Sequence, residues 1–199
     1  MSKEEFDLIY PYMPKSGKLL EIGSYPFERT QDLMDLGYQV TGYDLNYNRT
    51  EYHTRKVDVE KDIFPGMNNE YDIVLMMQVL EHLGRNPLHA LKEIKRVLKP
   101  EGVLVLSTPN FFNLRNFSTL IFKGYQHEFA SIIKHDDYTG HIRTYTRKEL
   151  KMLLEHCGFR VKYMKFLFYK KDLWTVGGLI TKLIPRCRDH LLVICEVEK

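Results

Sequence analysis

The sequence has few of the features that mark secreted, membrane-spanning or metal-binding proteins. Its 199 residues include only three cysteines, an odd number without the paired spacing of a zinc site or a disulfide framework. No apolar run approaches the ~20 residues that cross a bilayer, and the N-terminus lacks the cationic and apolar stretches of a signal peptide. The net charge of +3 is too small to indicate a nucleic-acid partner. We therefore expect a cytoplasmic protein, without a nucleic-acid partner, that forms one domain over residues 1–199.

The charge is unevenly distributed along the chain. Residues 111–199 contain 16 Lys or Arg and 9 Asp or Glu. A basic C-terminal half suits an anionic small molecule or surface, and scattered solvated side chains explain it as well.

Short apolar runs alternate with helical patterns between residues 18 and 109. The runs of strand length are Lys18–Gly23, Tyr38–Tyr43, Arg55–Val59, Tyr71–Met77 and Val103–Ser107. Asn86 and Pro87 begin a helical stripe that ends before Pro100. Strands joined by helices require right-handed crossovers, which predicts a parallel sheet with helices on both faces.

The last third of the chain adds one capped helix and two alternating segments. Thr146 and Glu149 form a capping box ahead of apolar residues at helical spacing. Arg160–Phe168 and His190–Val197 alternate like strands, and no convincing helical pattern lies between them. We predict that these strands pair antiparallel at one end of the sheet. The fold class is then α/β, a doubly wound and mostly parallel seven-stranded sheet with an antiparallel last strand.

Acidic residues follow successive predicted strands at the edge where such sheets bind ligands. Glu21 lies at the end of the first strand, Asp44 after the second and Asp58 after the third. A carboxylate after the second strand can accept hydrogen bonds from both ribose hydroxyls, and Asp58 is placed for an adenine amino group. One such acid by itself would be a helix cap or turn former. Acids after three successive strands favour an adenosine site.

The same segments resemble the motifs of class I S-adenosylmethionine-dependent methyltransferases. The motif segments are Leu19–Gly23, Gly37–Asp44, Tyr71–Val74, Val79–Leu83 and Arg96–Leu104. The resemblance is closest to the small-molecule branch that includes the quinone-biosynthesis methyltransferases, and it covers most of residues 18–109 and 146–159. It implies a Rossmann-like fold, S-adenosylmethionine as the methyl donor and S-adenosylhomocysteine as the product.

The resemblance also implies which residues bind the methyl donor. Glu21 and Gly23 border its methionine part, Asp44 holds the ribose hydroxyls, and Asp58 addresses the adenine with the backbone at Val59. Met77 and Gln78 line the donor near the transferred methyl. The full set is Glu21, Gly23, Ser24, Tyr25, Asp44, Leu45, Asp58, Val59, Met77 and Gln78.

The loop after the first strand departs from the family's glycine pattern. Tyr25 and Phe27 occupy the second and third glycine positions, with Pro26 between them. Glycine is used there because a side chain would obstruct close approach of the backbone to the ligand. Either Tyr25 covers the donor in a variant loop, or the chain is a noncatalytic partner subunit. A nicotinamide-dependent oxidoreductase is disfavoured because the loop lacks the glycines that admit a pyrophosphate.

Three residues are candidates for contact with the methyl acceptor. Methyl transfer depends mainly on in-line positioning, with a base where the acceptor is a weakly acidic hydroxyl. His82 follows the fourth strand and is the candidate base, or a histidine that packs on the next helix. His141 and Arg143 could bind a carboxylate, phosphate or enolate on the acceptor, or lie in a solvated loop. We expect a small-molecule acceptor that is methylated on oxygen, namely a quinone precursor, a sugar of a glycan or lipid-linked intermediate, or another secondary metabolite.

Residues 111–145 are predicted to form an acceptor-binding cap. Apolar residues in this segment, in 166–171 and in 173–184 suit an amphipathic acceptor or a membrane surface, and core packing with a homodimer contact is an equal alternative. Four residues of the segment have metal-ligand side chains without the spacing of a metal motif, so no metal is predicted. They are His127, His135, Asp136 and Asp137.

Overall fold

The computed structural model contains a seven-stranded mixed sheet. It describes residues 3–47, 50–125, 140–168 and 176–198. The strands are β1 (Gly17–Ile22), β2 (Tyr38–Asp44), β3 (Thr54–Lys56), β4 (Tyr71–Met77), β5 (Leu98–Pro109), β6 (Phe159–Leu167) and β7 (His190–Val197). Their order across the sheet is β3-β2-β1-β4-β5-β7-β6. Strand β7 runs antiparallel to both of its neighbours, and the other pairs are parallel. This arrangement confirms the predicted fold class.

Helices lie along the sheet within the described ranges. They are α1 (Lys3–Ile9), α2 (Glu28–Asp35), α3 (Pro87–Val97), α4 (Leu114–Lys123), α5 (Arg147–His156) and α6 (Val176–Leu183). The Asn86 side chain caps α3 by accepting from the His89 N–H at 3.1 Å. Thr146 and Glu149 make the reciprocal bonds of the capping box at the start of α5, as their spacing predicts. None of the described helices is long and apolar enough to cross a membrane.

The core has one layer on each face of the sheet. The layer on one face joins β-strand residues to α1 and α2 through Ile9 and Leu33. The other layer joins the strands to α3 and α5 through Leu91 and Leu150. Because the chain crosses to opposite faces after β1 and after β4, a crevice opens between the carboxyl ends of these two strands.

Three local predictions need correction. Strand β5 spans Leu98–Pro109 and is longer at both ends than the predicted run Val103–Ser107. A helix, α6, precedes β7 where no helix was predicted; its two glycines, Gly177 and Gly178, have low helix propensity and hide the pattern. Strand β3 ends at Lys56 rather than Val59. It ends early because the Asp58 carbonyl accepts from the Lys61 and Asp62 N–H groups, which turns the chain.

Candidate functional site

Gly23 lies at the centre of the crevice, directly after β1. Its backbone has φ +73°, and its N–H donates to the Tyr43 carbonyl at 2.8 Å. A Cβ at this position would lie 2.5 Å from Cγ2 of Val79, which follows β4. The first glycine of the motif is therefore required by both the conformation and the close approach of the two strand ends.

Glu21 is completely buried under the start of α2. Its carboxylate accepts from Arg29 Nε and, at 2.5 Å, from the Thr30 hydroxyl. Arg29 also donates to the Gly23 carbonyl at 3.0 Å. The Glu21 side chain thus holds the glycine loop against α2, and its predicted contact with the methionine part of the donor remains a prediction.

Asp44 ties together the loops that follow β1 and β2. One of its carboxylate oxygens accepts from the Tyr25 N–H at 3.2 Å, and the other accepts from the Asn46 N–H at 2.9 Å. Each carboxylate oxygen can accept a further hydrogen bond, so both remain usable by ribose hydroxyls. The next residue, Leu45, is 56% exposed at the same edge.

The rings that replace the missing glycines pack in an aromatic cluster, which consists of Tyr25, Phe27, Tyr47 and Tyr52. Tyr25 stacks on Tyr47 with ring centroids 4.3 Å apart, and Phe27 stacks on Tyr52 at 4.9 Å. Tyr25 is 54% exposed, so its ring does not plug an enclosed cavity. Tyr47 and Tyr52 were not predicted as site residues, because stacking across two loops leaves no pattern in the sequence.

Phe27 has an unfavourable backbone conformation in this loop. It has φ +74° at the N-cap of α2, a left-handed conformation that a bulky residue rarely adopts. The Ser24 carbonyl accepts from the Phe27 N–H at 2.8 Å, and the buried Ser24 hydroxyl lies 3.3 Å from that of Thr54. Ser24 therefore anchors the loop beneath the aromatic cluster.

The predicted adenine-binding residues follow β3. The Asp58 carboxylate accepts from Lys61 Nζ at 2.6 Å and from the Glu60 N–H at 3.1 Å. The hydrogen bond from Lys61 is the main reason that the pKa of Asp58 lies below its usual value. Val59 is buried in the core. Asp58 is therefore ionised and shapes the turn, and its contact with adenine stays a prediction.

Met77 and Gln78 end β4 in different environments. The Met77 side chain is buried in the core layer beneath α1 and α2. Gln78 has φ +57°, and its N–H and side-chain amide donate to the carbonyl and hydroxyl of Ser107, both at 2.9 Å. These bonds tie the ends of β4 and β5 together. Gln78 is half-buried, whereas Met77 is buried.

His82 and His141 meet at the carboxyl end of β4. Their ring centroids lie 5.1 Å apart at 72°. Nδ1 of His82 lies 3.3 Å from the Gly140 carbonyl, so Nδ1 carries the proton and Nε2 is the basic nitrogen. Burial, with a smaller contribution from His141, lowers the pKa of His82, which favours the neutral imidazole.

The backbone of Glu81 brings the two histidines together. Its carbonyl accepts from the Ile142 N–H at 2.9 Å and from the Arg143 N–H at 3.1 Å. The buried Glu81 carboxylate accepts from the Thr108 hydroxyl at 3.1 Å, at the end of β5. The segment after residue 139 is thus held against the turn that follows β4.

Arg143 lies beside this cluster and contacts other residues. Its guanidinium stands 5.0 Å over the Tyr145 ring and 3.9 Å from a Glu149 carboxylate oxygen. A cavity of about 270 Å³ opens here. Its lining residues are Phe111, Ile142, Arg143, Thr144, Thr146 and Glu149. The structure therefore joins His141 to His82 and directs Arg143 to a neighbouring cavity. His127, His135, Asp136 and Asp137 lie outside the described residues.

The crevice fits S-adenosylmethionine in two respects. Gly23 places backbone without a side chain at the end of β1, where Val79 takes the position that a Cβ would need. Asp44 offers acceptor oxygens at the edge of the sheet. These residues could hold the methionine part and the ribose, respectively.

Comparison with known proteins agrees with this geometry. A family model described as a methyltransferase domain matches residues 3–163. YqeM of Bacillus subtilis (strain 168), whose name marks it as an unproven methyltransferase, is 23% identical over an alignment length of 187 residues. The match covers 75% of this chain and 76% of that protein.

Solved structures share the fold over nearly the whole chain. An S-adenosylmethionine-dependent methyltransferase from Methanosarcina mazei has a TM-score of 0.68 at 20% identity, covering 96% of this chain and 97% of its own. The 1,6-didemethyltoxoflavin-N1-methyltransferase of Burkholderia thailandensis was solved with 1,6-didemethyltoxoflavin and S-adenosylhomocysteine. It has a TM-score of 0.66 at 15% identity, and the match covers 99% of this chain and 78% of its own. Neither the noncatalytic nor the oxidoreductase alternative is favoured by these matches. The chain belongs to the class I S-adenosylmethionine-dependent methyltransferases.

Proposed function

We propose that this methyltransferase modifies a hydroxyl oxygen of a small molecule, bound over the carboxyl ends of β4 and β5. The observation that supports it is the meeting of His82 and His141 at that edge. Val79, three residues before His82, contacts the Gly23 position. A neutral imidazole suits an acceptor that must lose a proton, as a hydroxyl does when it is methylated.

The residues of the chain have separate tasks in this proposal. Asp44 holds the ribose hydroxyls, and the backbone at Gly23 accommodates the methionine part. S-adenosylmethionine supplies a methyl group that is already activated on a sulfonium. His82 accepts the acceptor's proton at Nε2, because its Nδ1 is engaged with the Gly140 carbonyl. His141 packs against the His82 ring and orients it.

The small-molecule class also has support from a structural relative. The Burkholderia thailandensis enzyme is named as an N1-methyltransferase of 1,6-didemethyltoxoflavin, the compound bound in its structure. Oxygen as the acceptor atom is our inference from His82 and does not come from that protein. Arg143 and its cavity suit an anionic group on the acceptor.

We propose that residues 111–145 cover the acceptor. Helix α4, within this segment, exposes large apolar side chains, among them Phe117, Ile121 and Phe122, and Phe122 is 84% exposed. An amphipathic acceptor would use these residues, and so would a membrane surface or a second copy of the chain. The cytoplasm remains our expectation for the location.

Labelled methyl donor tests the proposal directly. The chain is incubated with S-adenosylmethionine that carries a ¹³C methyl group and with pools of hydroxylated small molecules, namely phenols, quinols and sugars. We expect release of S-adenosylhomocysteine and a ¹³C resonance typical of an O-methyl group. A label found on nitrogen, on carbon or on a macromolecule would contradict the proposed acceptor class, although not the methyltransferase assignment.

His82→Ala should lower turnover by about 100-fold, the usual contribution of a positioned base. We expect the affinity for S-adenosylhomocysteine to stay unchanged, because His82 lies at the acceptor side of the crevice. His156→Ala is the matched control, since this exposed histidine ends α5. Steady-state rates with the identified acceptor measure the effect, and full turnover in His82→Ala would remove His82 from the reaction.

A further inference from the structure

We propose that Glu81, His82 and His141 form a binding site for a divalent cation such as Zn²⁺, Mn²⁺ or Co²⁺. One ligand atom from each residue lies within 4.8 Å of those of the other two. Ligand atoms around a tetrahedral zinc ion stand roughly 3.4 Å apart, given bond lengths near 2.1 Å. Small side-chain rotations would therefore bring all three onto one ion. The sequence predicted no metal, because His141 lies far along the chain from the adjacent Glu81 and His82.

The donor set has the chemistry of a reactive site rather than a structural one. Two imidazoles and one carboxylate suit zinc and the first-row transition metals better than calcium or magnesium. Structural zinc sites use four protein ligands, whereas three ligands leave a coordination position open. An open position at this edge would accept an oxygen atom of another molecule.

Neighbouring groups orient the three side chains in the way that outer-shell partners orient metal ligands. The Thr108 hydroxyl donates to Glu81, and the Gly140 carbonyl lies next to Nδ1 of His82. These contacts leave Nε2 of His82 for a cation. The bonds from the Ile142 and Arg143 N–H groups to the Glu81 carbonyl hold the segment that carries His141.

The surrounding charge permits a cation at this position. Glu81 is the buried carboxylate of the cluster, and the nearby Arg143 guanidinium contacts Glu149 and the Tyr145 ring. Two neutral imidazoles and one carboxylate leave a divalent ion with a net positive charge. Such an ion polarises a hydroxyl bound to it.

The catalytic role of this cation rests on the proposed function, whereas the test of cation binding does not. If the acceptor's hydroxyl binds the cation, the cation lowers the pKa of the hydroxyl. In the cation-bound chain His82 is a ligand and the proton of the hydroxyl passes to solvent, whereas in the cation-free chain His82 is the base proposed above. Turnover with and without a chelator distinguishes these two cases. Cation binding itself needs neither acceptor nor methyl donor.

Cobalt is the probe of choice, because Co²⁺ has visible absorption that reports its ligands. The full chain, without a histidine tag and after treatment with a chelator, is titrated with Co²⁺. We expect one equivalent to bind per chain. Glu81→Gln and His141→Ala should each weaken binding by at least about 100-fold, more than the loss of an outer-shell partner typically costs. His156→Ala should bind as the unchanged chain does.

Circular dichroism of each variant shows whether it is folded, and Glu81→Gln keeps the size of the buried side chain. Absence of a Co²⁺ band in the folded chain would overturn the proposal. Equal binding by Glu81→Gln, His141→Ala and His156→Ala would overturn it too, because the ion would then lie elsewhere. Calorimetry with S-adenosylhomocysteine on the same cobalt-free samples tests the methyltransferase site separately, since Asp44 and Gly23 lie outside the cluster.

Discussion

Asp44→Ala should weaken binding of S-adenosylhomocysteine by about 1000-fold. Each hydrogen bond from a ribose hydroxyl to the Asp44 carboxylate is charge-assisted and contributes about 2 kcal/mol. Two such bonds contribute about 4 kcal/mol, and each 1.4 kcal/mol is roughly a tenfold change in affinity. Titration calorimetry measures the loss directly. Asp44→Asn keeps one acceptor oxygen, so its affinity for S-adenosylhomocysteine should lie between those of the alanine variant and the unchanged chain.

The controls separate binding from loop structure. Asp44 also accepts from the Tyr25 and Asn46 N–H groups, so the melting temperature is measured alongside affinity. Asp35→Ala removes an exposed acid at the end of α2 and should leave affinity unchanged. Affinity that survives in a folded Asp44→Ala chain would place the adenosyl group away from the end of β2.

Glu21→Ala should lower the melting temperature by about 10 °C. Removing one partner of a buried ion pair costs about 3–5 kcal/mol, and we take the lower value because Arg29 keeps some exposure. A domain of this size loses about 2–4 °C per kcal/mol. The physical cause is that the Arg29 guanidinium and the Thr30 hydroxyl lose their shared acceptor beneath α2. Differential scanning calorimetry measures the shift.

Glu28→Ala is the matched control, because this exposed glutamate begins the same helix. Its stability should change by no more than about 0.5 kcal/mol. Affinity for S-adenosylhomocysteine should fall less in Glu21→Ala than in Asp44→Ala, because Glu21 acts through the loop that it holds. An unchanged melting temperature together with lost affinity would instead show that the Glu21 carboxylate contacts the methyl donor.

The order of the strands along the chain and the sheet edge at which Asp44 lies could be predicted from the sequence. Periodicity, caps and turn residues act over a few neighbours, so β4 and the capping box of α5 follow from local patterns. The position of Asp44 follows too, since a residue just after a parallel strand must lie at its carboxyl edge. Helix α6 was missed because local propensity opposes it, and tertiary packing decides such cases.

What surrounds each site residue was decided by tertiary structure alone. The sequence placed Glu21 at the tip of β1 but could not show that Arg29 and Thr30 take up its carboxylate. Tyr25 looked like an obstruction, and only its stacking on Tyr47 shows where the ring goes. His82 meets a segment whose Gly140 lies 58 positions further along the chain. Such contacts depend on packing between distant parts of the chain, which no local pattern records.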